Sequence, residues 1–163
     1  MLIVFDVLLE AGRRARHRHG MATWAEFETA APALAARVKE RFDAHKHKTL
    51  ATIRRDGGPR ISGTEVEFAG GELWIGSMWR AVKALDLQRD PRFAIHSGTE
   101  DPEGDWPGEA KIAGVAEEVP GDGSSHRFRL DLREASVVGL NPERTKLWID
   151  VWTVDGGLRR IER

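Results

Sequence analysis

The chain has 163 residues, enough for one domain with a buried core, and it contains no cysteine. The absence of cysteine excludes disulfide scaffolds, thiolate zinc sites and cysteine nucleophiles, and it fits the reducing conditions of the cytoplasm, where we expect the protein. Because 25 Lys and Arg residues nearly balance 26 Asp and Glu residues, the formal net charge is -1, and no overall field draws the chain to nucleic acid or to an anionic membrane.

The first twenty residues differ in composition from the rest of the chain. Their apolar run, residues 1–9, is too short to span a bilayer, and the positive charges of residues 13–19 follow it, whereas a secretory signal places them first. A mobile terminal arm explains such a segment better than a nucleic-acid contact does. We therefore predict an appendage at residues 1–20, followed by one domain at residues 21–163.

An amphipathic helix is predicted over residues 22–44, because apolar residues recur there at steps of three and four. These residues are Trp24, Phe27, Ala31, Leu34, Val38 and Phe42. Strands are predicted at residues 49–53 and 60–68, joined by an Asp-Gly-Gly-Pro turn at residues 56–59, and a third strand follows at residues 73–77. Loops this short exclude crossover helices, so the three strands are expected to pair antiparallel.

The rest of the chain continues as strands, apart from one short helix predicted at residues 79–88. Apolar runs or alternation predict four more strands, at residues 93–97, 109–119, 128–132 and 146–154. Gly114 predicts a β-bulge in the second of these. The pattern indicates a mainly β fold, a closed or partly closed antiparallel barrel of six to seven strands with an N-terminal helix and one short helix after the third strand. Glycine-rich dinucleotide and phosphate-loop motifs are absent, which disfavours a doubly wound fold.

Residues 72–96 combine a strand, a turn and a helix in an order that suits an anion. The strand ends in the small residues Gly76 and Ser77, and a basic connection that carries Lys83 follows. Turn amides and a lysine side chain can converge on one phosphate-sized group. From the spacing alone, however, a solvated helix lysine after an ordinary strand end is the simpler interpretation.

Three segments resemble the flavin-binding split β-barrels related to pyridoxamine 5'-phosphate oxidase. They read LATIRRDGGPRISGTEVEF, ELWIGSMWRAVKALDLQRDPRFAIH and GEAKIAGVAEEV, and the likeness extends from about Trp24 to the C-terminus. Its most specific part is the spacing of Lys83 from the Asp of Arg89-Asp90-Pro91-Arg92. The resemblance implies a split β-barrel with a cofactor phosphate held by the lysine and the strand end, and with the site at a dimer interface.

The same resemblance implies roles for individual residues. Lys83 would pair with the cofactor phosphate, and Ser77 and Met78 would offer it a hydroxyl and a backbone donor. The second strand would flank the flavin ring system with residues Arg60, Ile61, Ser62, Gly63 and Thr64. The bulky Met78-Trp79 pair departs from the small or basic residues usual in this connection of the family.

The activity implied is that of an FMN-binding oxidoreductase that transfers hydride or electrons to a small organic acceptor. The deazaflavin coenzyme F-420 is an alternative cofactor, because related split barrels use it. A non-catalytic carrier or sensor of flavin or haem is a further alternative. The C-terminal substrate segment of true pyridoxamine phosphate oxidases is not recognisable, which argues against vitamin-B6 synthesis. The expected partners are a small-molecule substrate and a second copy of the chain.

Other chemistry-bearing residues suggest no separate site. His45 and His47 are interpreted as a solvated helix end rather than metal ligands, and no metal site is predicted. The adjacent Glu117 and Glu118 point to opposite faces of one strand, so they cannot act together as an acid and a base. We assign no catalytic residue.

His96, Trp79 and Trp106 each keep a functional and a structural interpretation, and residues 124–126 are given a structural one. His96 either faces the cofactor or is a hydrogen-bonded structural histidine. Residues 124–126 (Ser-Ser-His) are interpreted as a loop, because no orienting carboxylate is evident for a triad. Trp79 and Trp106 lie in connections and could stack on a bound ring.

Overall fold

The computed structural model describes residues 20–101 and 103–163, so the predicted appendage lies outside the described residues except for Gly20. Three helices and nine strands form in this described part. They are α1 (Trp24–Ala30), α2 (Pro32–Asp43), β1 (Lys48–Ile53), β2 (Pro59–Thr64), β3 (Glu67–Ala69), β4 (Glu72–Met78), α3 (Val82–Arg89), β5 (Arg92–His96), β6 (Glu109–Val119), β7 (Ser125–Leu140), β8 (Leu147–Thr153) and β9 (Gly157–Glu162).

The strands form one antiparallel sheet in the order β2-β1-β5-β6-β7-β4-β3, and β8 joins β7 to β9. Strand β7 is central to this sheet, because it is long enough to pair with two strands, β4 and β8, along one edge. Its residues 125–130 pair with β4, and its residues 134–140 pair with β8. Among the described strands, hydrogen bonds do not close the sheet into a complete barrel. The prediction of a mainly β, antiparallel split barrel is confirmed, with nine strands rather than six to seven.

The single N-terminal helix predicted over residues 22–44 is wrong, because two helices form there. Thr23 caps α1 through a reciprocal capping box with Glu26. Ala31 then adopts φ -145°, and Pro32 starts α2 at its first position. A residue before proline is disfavoured in helical conformation, and proline has no N–H to continue the hydrogen-bond ladder, so the break follows from the sequence.

Several predicted boundaries also differ from the structure. The strand predicted at residues 60–68 is two strands, because the chain leaves β1 after Thr64 and pairs with β4 from Glu67 onward. The helix predicted from residue 79 starts at Val82, since Arg80 has φ 57° and cannot be helical. Strand β7 extends far beyond the predicted residues 128–132, and β9 was not predicted because its residues are almost all exposed.

The β-bulge predicted at Gly114 is confirmed. The pairing register of β6 with β7 shifts between Ala113 and Gly114. A Cβ atom at Gly114 would lie 1.9 Å from the carbonyl oxygen of Asp131, so the backbones approach too closely for any other residue. The extra residue of the bulge is Arg133 of β7, because Ala113 pairs with Glu134 and Gly114 pairs with Leu132.

The core lies between the sheet and helices α1 and α2. The buried faces of these helices supply Trp24, Phe27, Leu34, Val38 and Phe42. Aromatic rings from both ends of the chain meet there: the ring centroids of Trp24 and Phe68 are 4.8 Å apart, and those of Phe27 and Trp152 are 4.7 Å apart. Each such buried side chain contributes on the order of 2 kcal/mol through apolar burial. This packing covers the helix side of the sheet and leaves the end of β4 open.

Helix α3 is fixed to the sheet by the buried carboxylate of Asp86. Asp86 accepts hydrogen bonds from Thr52 of β1 at 3.0 Å, from Arg60 of β2 at 2.6 Å and from Arg89 at 3.0 Å. Burial would raise the pKa of this carboxyl, but the hydrogen bonds from Arg60, Arg89 and Thr52 outweigh it and hold the pKa below the ordinary 3.8. Asp86 therefore sets the position of the helix that carries Lys83.

Candidate functional site

A cavity of ≈ 870 Å³ opens beside the end of β4, and we call it the β4 cavity. Residues 76–78 of β4 and residues 125–127 of β7, which pair antiparallel, line it together. The end of β2 and the first turn of α3 complete the lining through Gly63, Thr64 and Lys83. A cavity of this size can enclose most of a cofactor-sized molecule.

The structure brings together five of the eight residues that the resemblance assigns to the cofactor. Those that line the β4 cavity are Gly63, Thr64, Ser77, Met78 and Lys83. The other three lie earlier on β2 and outside the lining: Arg60, Ile61 and Ser62. The Arg60 side chain turns to Asp86, whereas Ile61 is 74% exposed. The division follows position along β2, because the two residues in the lining are the last two of the strand.

Ser77 lines the β4 cavity and carries a buried hydroxyl. Its Oγ atom makes no hydrogen bond with any group in the part of the chain that the structure describes, although the residue is only 9% exposed. A buried hydroxyl without a partner costs about 1–3 kcal/mol, and such atoms are rare in folded proteins. A ligand oxygen or a water molecule that reached this hydroxyl would therefore stabilise Ser77.

Lys83 supplies the cationic group. Its Nζ atom donates a hydrogen bond to the carbonyl oxygen of Gly63 at 2.6 Å, which joins α3 to the end of β2. An ammonium group has three donors, so this bond leaves capacity for an anion. Burial lowers the pKa of Lys83 from 10.5, because desolvation disfavours the charged ammonium, and an anion beside it would favour the charged form.

His126 is a feature of the cavity that the sequence interpretation missed. Residues 124–126 were expected to be a loop, but His126 lies in β7, is 4% exposed and lines the β4 cavity. Its Nδ1 atom lies 2.5 Å from a carboxylate oxygen of Glu118, and its Nε2 atom lies 3.0 Å from the backbone nitrogen of Arg80. The spacing of two residues from buried Phe128 was the signal that places this histidine on the inner face.

Trp79 stacks on His126 at the same corner. The two ring centroids are 4.7 Å apart and the ring planes differ by 9°. The indole is 55% exposed and lines the β4 cavity, so one of its faces covers His126 while the rest borders open space. The expectation that Trp79 could stack on a ligand ring is compatible with this placement, whereas Trp106 does not line the cavity.

Charged residues also border the β4 cavity. The guanidinium of Arg127 lies 4.4 Å from the ring centroid of Trp74 and 3.3 Å from a carboxylate oxygen of Glu67. The Nδ1 atom of His47 is 3.9 Å from a carboxylate oxygen of Glu65, and both residues belong to the lining. The lining therefore contains both basic and acidic side chains. Arg127 and His47 each contact a glutamate, whereas Lys83 bonds a backbone carbonyl.

Glu117 and Glu118 have separate partners, as the alternation of side chains predicts. Glu118 bonds His126 on the cavity side of β6, whereas Glu117 accepts a hydrogen bond from Arg129 at 2.6 Å. Arg129 also donates to Asp131 at 3.1 Å, and both of these β7 residues are buried. The two adjacent glutamates thus belong to different networks.

Two other histidines in the described part of the chain, His45 and His96, make local contacts outside the lining of the cavity. The Nε2 atom of His45 lies 2.8 Å from a carboxylate oxygen of Glu100. His96 contacts the carbonyl oxygen of Ser97 at 2.6 Å and a carboxylate oxygen of Glu109 at 3.1 Å, which fits its interpretation as a hydrogen-bonded structural residue. Within residues 20–101 and 103–163, no three metal-ligating side chains cluster.

Apolar side chains are exposed on the elements around the cavity. Met78 is 80% exposed and Val82 is 54% exposed, in addition to Ile61 and Trp79. Exposed apolar groups of this size that lie on neighbouring elements are typical of surfaces that contact another molecule. No helix in the described part of the chain has the length and apolar character needed to cross a membrane.

The sequence matches no protein-family model and no characterised protein sequence. Solved structures do resemble it. A pyridoxamine 5'-phosphate oxidase-related, FMN-binding protein from Nostoc punctiforme has a TM-score of 0.60 at 13% identity, over 82% of this chain and 95% of that one. PhzG from Burkholderia lata, solved with tetrahydrophenazine-1-carboxylic acid, has a TM-score of 0.57 at 13% identity, over 82% of this chain and 87% of that one.

A third similar structure is HutZ, a haem storage protein from Vibrio cholerae. It has a TM-score of 0.51 at 18% identity, over 61% of this chain and 89% of that one. At such identities the likeness concerns the fold alone. The chain therefore has the split-barrel fold of the pyridoxamine 5'-phosphate oxidase-related proteins.

Proposed function

We propose that the chain binds FMN in the β4 cavity and acts as an oxidoreductase that passes hydride or electrons to a small organic acceptor. The observation that carries this proposal is the buried, unpartnered hydroxyl of Ser77 in the same cavity as the ammonium group of Lys83. A hydroxyl donor and a cation together suit a phosphate monoester. The fold shared with an FMN-binding protein and with PhzG supports the same assignment.

The residues present fit this cofactor. Lys83 and Ser77 would hold the phosphate, with the backbone amide of Met78 as a further donor, and Gly63 and Thr64 at the end of β2 would flank the ring system. A Cβ atom at Gly63 would meet nothing within 4 Å, so the strand end leaves open space on that side. When bound, FMN supplies the redox chemistry, and the protein contributes binding, orientation and the exclusion of water.

Titration of the purified chain with FMN, followed by absorption and flavin fluorescence, tests the proposal. We expect K83A to weaken FMN binding about 10- to 100-fold, because one charge-assisted hydrogen bond is lost. The matched control is K111A, which removes an exposed lysine of β6 that does not line the cavity. Wild-type protein that fails to bind FMN, or equal affinities for K83A and K111A, would contradict the assignment.

The deazaflavin coenzyme F-420 is the alternative cofactor for the same oxidoreductase chemistry. It also presents a tricyclic ring and a phosphate, so Ser77 and Lys83 would serve it in the same way. A parallel titration separates the two cofactors by their relative affinities. Turnover of the reduced cofactor with a panel of organic acceptors then tests for catalysis.

A non-catalytic carrier or sensor is the second candidate, and the position of His47 favours haem as its ligand. His47 lines the β4 cavity, its side chain is 77% exposed, and imidazole is a common axial ligand of haem iron. The fold shared with HutZ supports this candidate. Haem titration of wild type and H47A decides it: a Soret band that changes with H47A, together with no turnover on any acceptor, would favour the carrier.

We also propose that the protein is cytoplasmic and that a second copy of the chain covers the exposed apolar residues near the cavity. Ile61, Met78 and Val82 are each more than half exposed, which is costly for a surface that stays in water. Sedimentation velocity should show a dimer for the wild type and a monomer for M78D. A wild-type monomer at the concentrations used for FMN binding would refute this part of the proposal.

A further inference from the structure

The hydrogen bonds of His126 define its protonation state. The backbone N–H of Arg80 is a donor, so the Nε2 atom 3.0 Å from it accepts and carries no proton. The Nδ1 atom faces a carboxylate oxygen of Glu118 at 2.5 Å, which can only accept when it is ionised. Both contacts are satisfied at once by the neutral imidazole with its proton on Nδ1.

The backbone that His126 holds is strained. Arg80 adopts φ 57°, a left-handed conformation that non-glycine residues rarely occupy without support from their surroundings. The residue before it, Trp79, lies flat on the His126 ring, with 4.7 Å between the ring centroids. One imidazole therefore supports the turn twice, through a hydrogen bond to its backbone and through a face-to-face contact with its side chain.

A chain of polar contacts extends this support to helix α3. Gln88 of α3 donates a hydrogen bond to Glu118 at 2.8 Å, and Glu118 in turn contacts His126. The turn at residues 79–81 connects β4, which carries Ser77, to α3, which carries Lys83. The His126 network thus joins the two elements that bear the polar groups of the β4 cavity.

The Trp79 indole separates two open spaces. Trp79 and Ser125 line the β4 cavity, and they also line a second cavity of ≈ 360 Å³ beside residues 118–123. A change in the turn would move this partition and alter the shape of the β4 cavity. The position of Trp79 is therefore a determinant of what the cavity can enclose.

We propose that His126 is a positioning residue that, as the neutral Nδ1–H tautomer, holds the Trp79–Arg80 turn in its left-handed conformation and fixes the Trp79 indole at the wall of the β4 cavity. The consequence for ligand affinity rests on the proposed function, whereas the state of the turn does not. Glu118 orients the ring, and the acceptor atom Nε2 performs the positioning.

The first test uses the ligand-free wild-type chain. Long-range ¹H–¹⁵N correlation spectra of the histidine rings report which nitrogen carries the proton. We expect the His126 ring to be protonated on Nδ1 alone at neutral pH. A proton on Nε2, in either the other tautomer or the charged ring, would overturn the proposal, and this result does not depend on the folding of any variant.

The second test separates the two ring nitrogens with a matched pair of variants. The side-chain oxygen in H126Q can reach the position of Nε2 and accept from Arg80, whereas the amide group in H126N reaches only the position of Nδ1. Acrylamide quenching of Trp79 is measured as the difference between each protein and the same protein with W79F. We expect quenching to rise about twofold in H126N, as the turn opens locally, and to rise less in H126Q, which loses the stacked ring but keeps an acceptor for Arg80. Equal quenching in the two variants would overturn the proposal.

FMN titration of the same variants adds the functional readout. We expect H126N to bind FMN about tenfold more weakly and H126Q to bind like the wild type, because only H126N loses the bond that holds the turn. Wild-type protein that does not bind FMN would refute the proposed function, and the tautomer and Trp79 quenching would still judge the role of His126. Wild-type FMN affinity in H126N, with Trp79 released, would show that the turn does not shape the ligand site.

Discussion

Replacement of Asp86 by alanine tests whether one buried carboxylate holds helix α3, and with it Lys83, against the sheet. In D86A the hydroxyl of Thr52, which is 1% exposed, loses its partner, and two arginines lose a charge-assisted hydrogen bond each. Removal of one partner from a buried ion pair costs about 3–5 kcal/mol. The side chains of Arg60 and Arg89 are 25% and 34% exposed, so water can solvate them and the lower end of that range applies.

We therefore expect D86A to lower the free energy of unfolding by about 3 kcal/mol, equivalent to about 6–12 °C in Tm for a chain of this length. Urea denaturation followed by circular dichroism measures the first quantity, and calorimetry measures the second. The matched control is D90A, four residues further along, where the carboxylate contacts the exposed Arg92. Such surface pairs contribute less than about 1 kcal/mol.

The reasoning also predicts a functional consequence that distinguishes D86A from a generally weakened fold. Because α3 carries Lys83, D86A should weaken FMN binding at temperatures where the protein remains fully folded, and D90A should not. Equal stability of D86A and D90A would refute the assignment of Asp86 as the anchor of the helix. A loss of stability without any change in FMN affinity would refute its connection to the site.

Three further results are expected. The difference in the free energy of unfolding between wild type and D86A should narrow as the pH falls below 3.8. A carboxyl with a depressed pKa stabilises the fold above its unfolded pKa and loses that contribution in acid. Urea denaturation at a series of pH values checks this, and a constant difference would contradict it. G114A should destabilise the fold by about 3 kcal/mol, because its Cβ would meet the carbonyl of Asp131. G76A, whose Cβ has open space, should change the stability by less than about 1 kcal/mol. Thermal melts of the two variants compare these effects. R129M should cost about 3–5 kcal/mol by leaving Asp131 buried without its partner, and the double variant R129M/D131L should recover most of that loss in urea denaturation.

Local patterns in the sequence accounted for most of the fold. Alternation and apolar runs located seven of the strands, and glycine turns indicated that neighbours pair antiparallel. The break before Pro32 was readable from the rules for proline but was overlooked, because the apolar spacing continues through it. Strand β9 was not predictable from hydrophobicity, since an exposed edge strand is held by backbone pairing with β8 rather than by buried side chains.

The candidate site likewise contains residues that the sequence predicted and residues whose position only the structure shows. Ser77, Met78 and Lys83 were predicted because a family resemblance rests on residues close together in the sequence, and the structure places all three around one cavity. The part of β2 before Gly63 lies outside that lining. Which residues of β2 line the cavity depends on how far β2 extends along its neighbouring strand, and no local sequence pattern gives that length.

The sequence by itself determined most of the strands, their antiparallel pairing and the bulge at Gly114, because each depends on residues that are close together in the chain. Only the tertiary structure decided that Glu118 and Arg80 meet His126, which lines the β4 cavity. The three residues come from β6, the connection after β4 and β7, and their contact depends on the register in which β7 pairs with both strands. A histidine that looked like part of a loop thereby became the support of the turn beside the site.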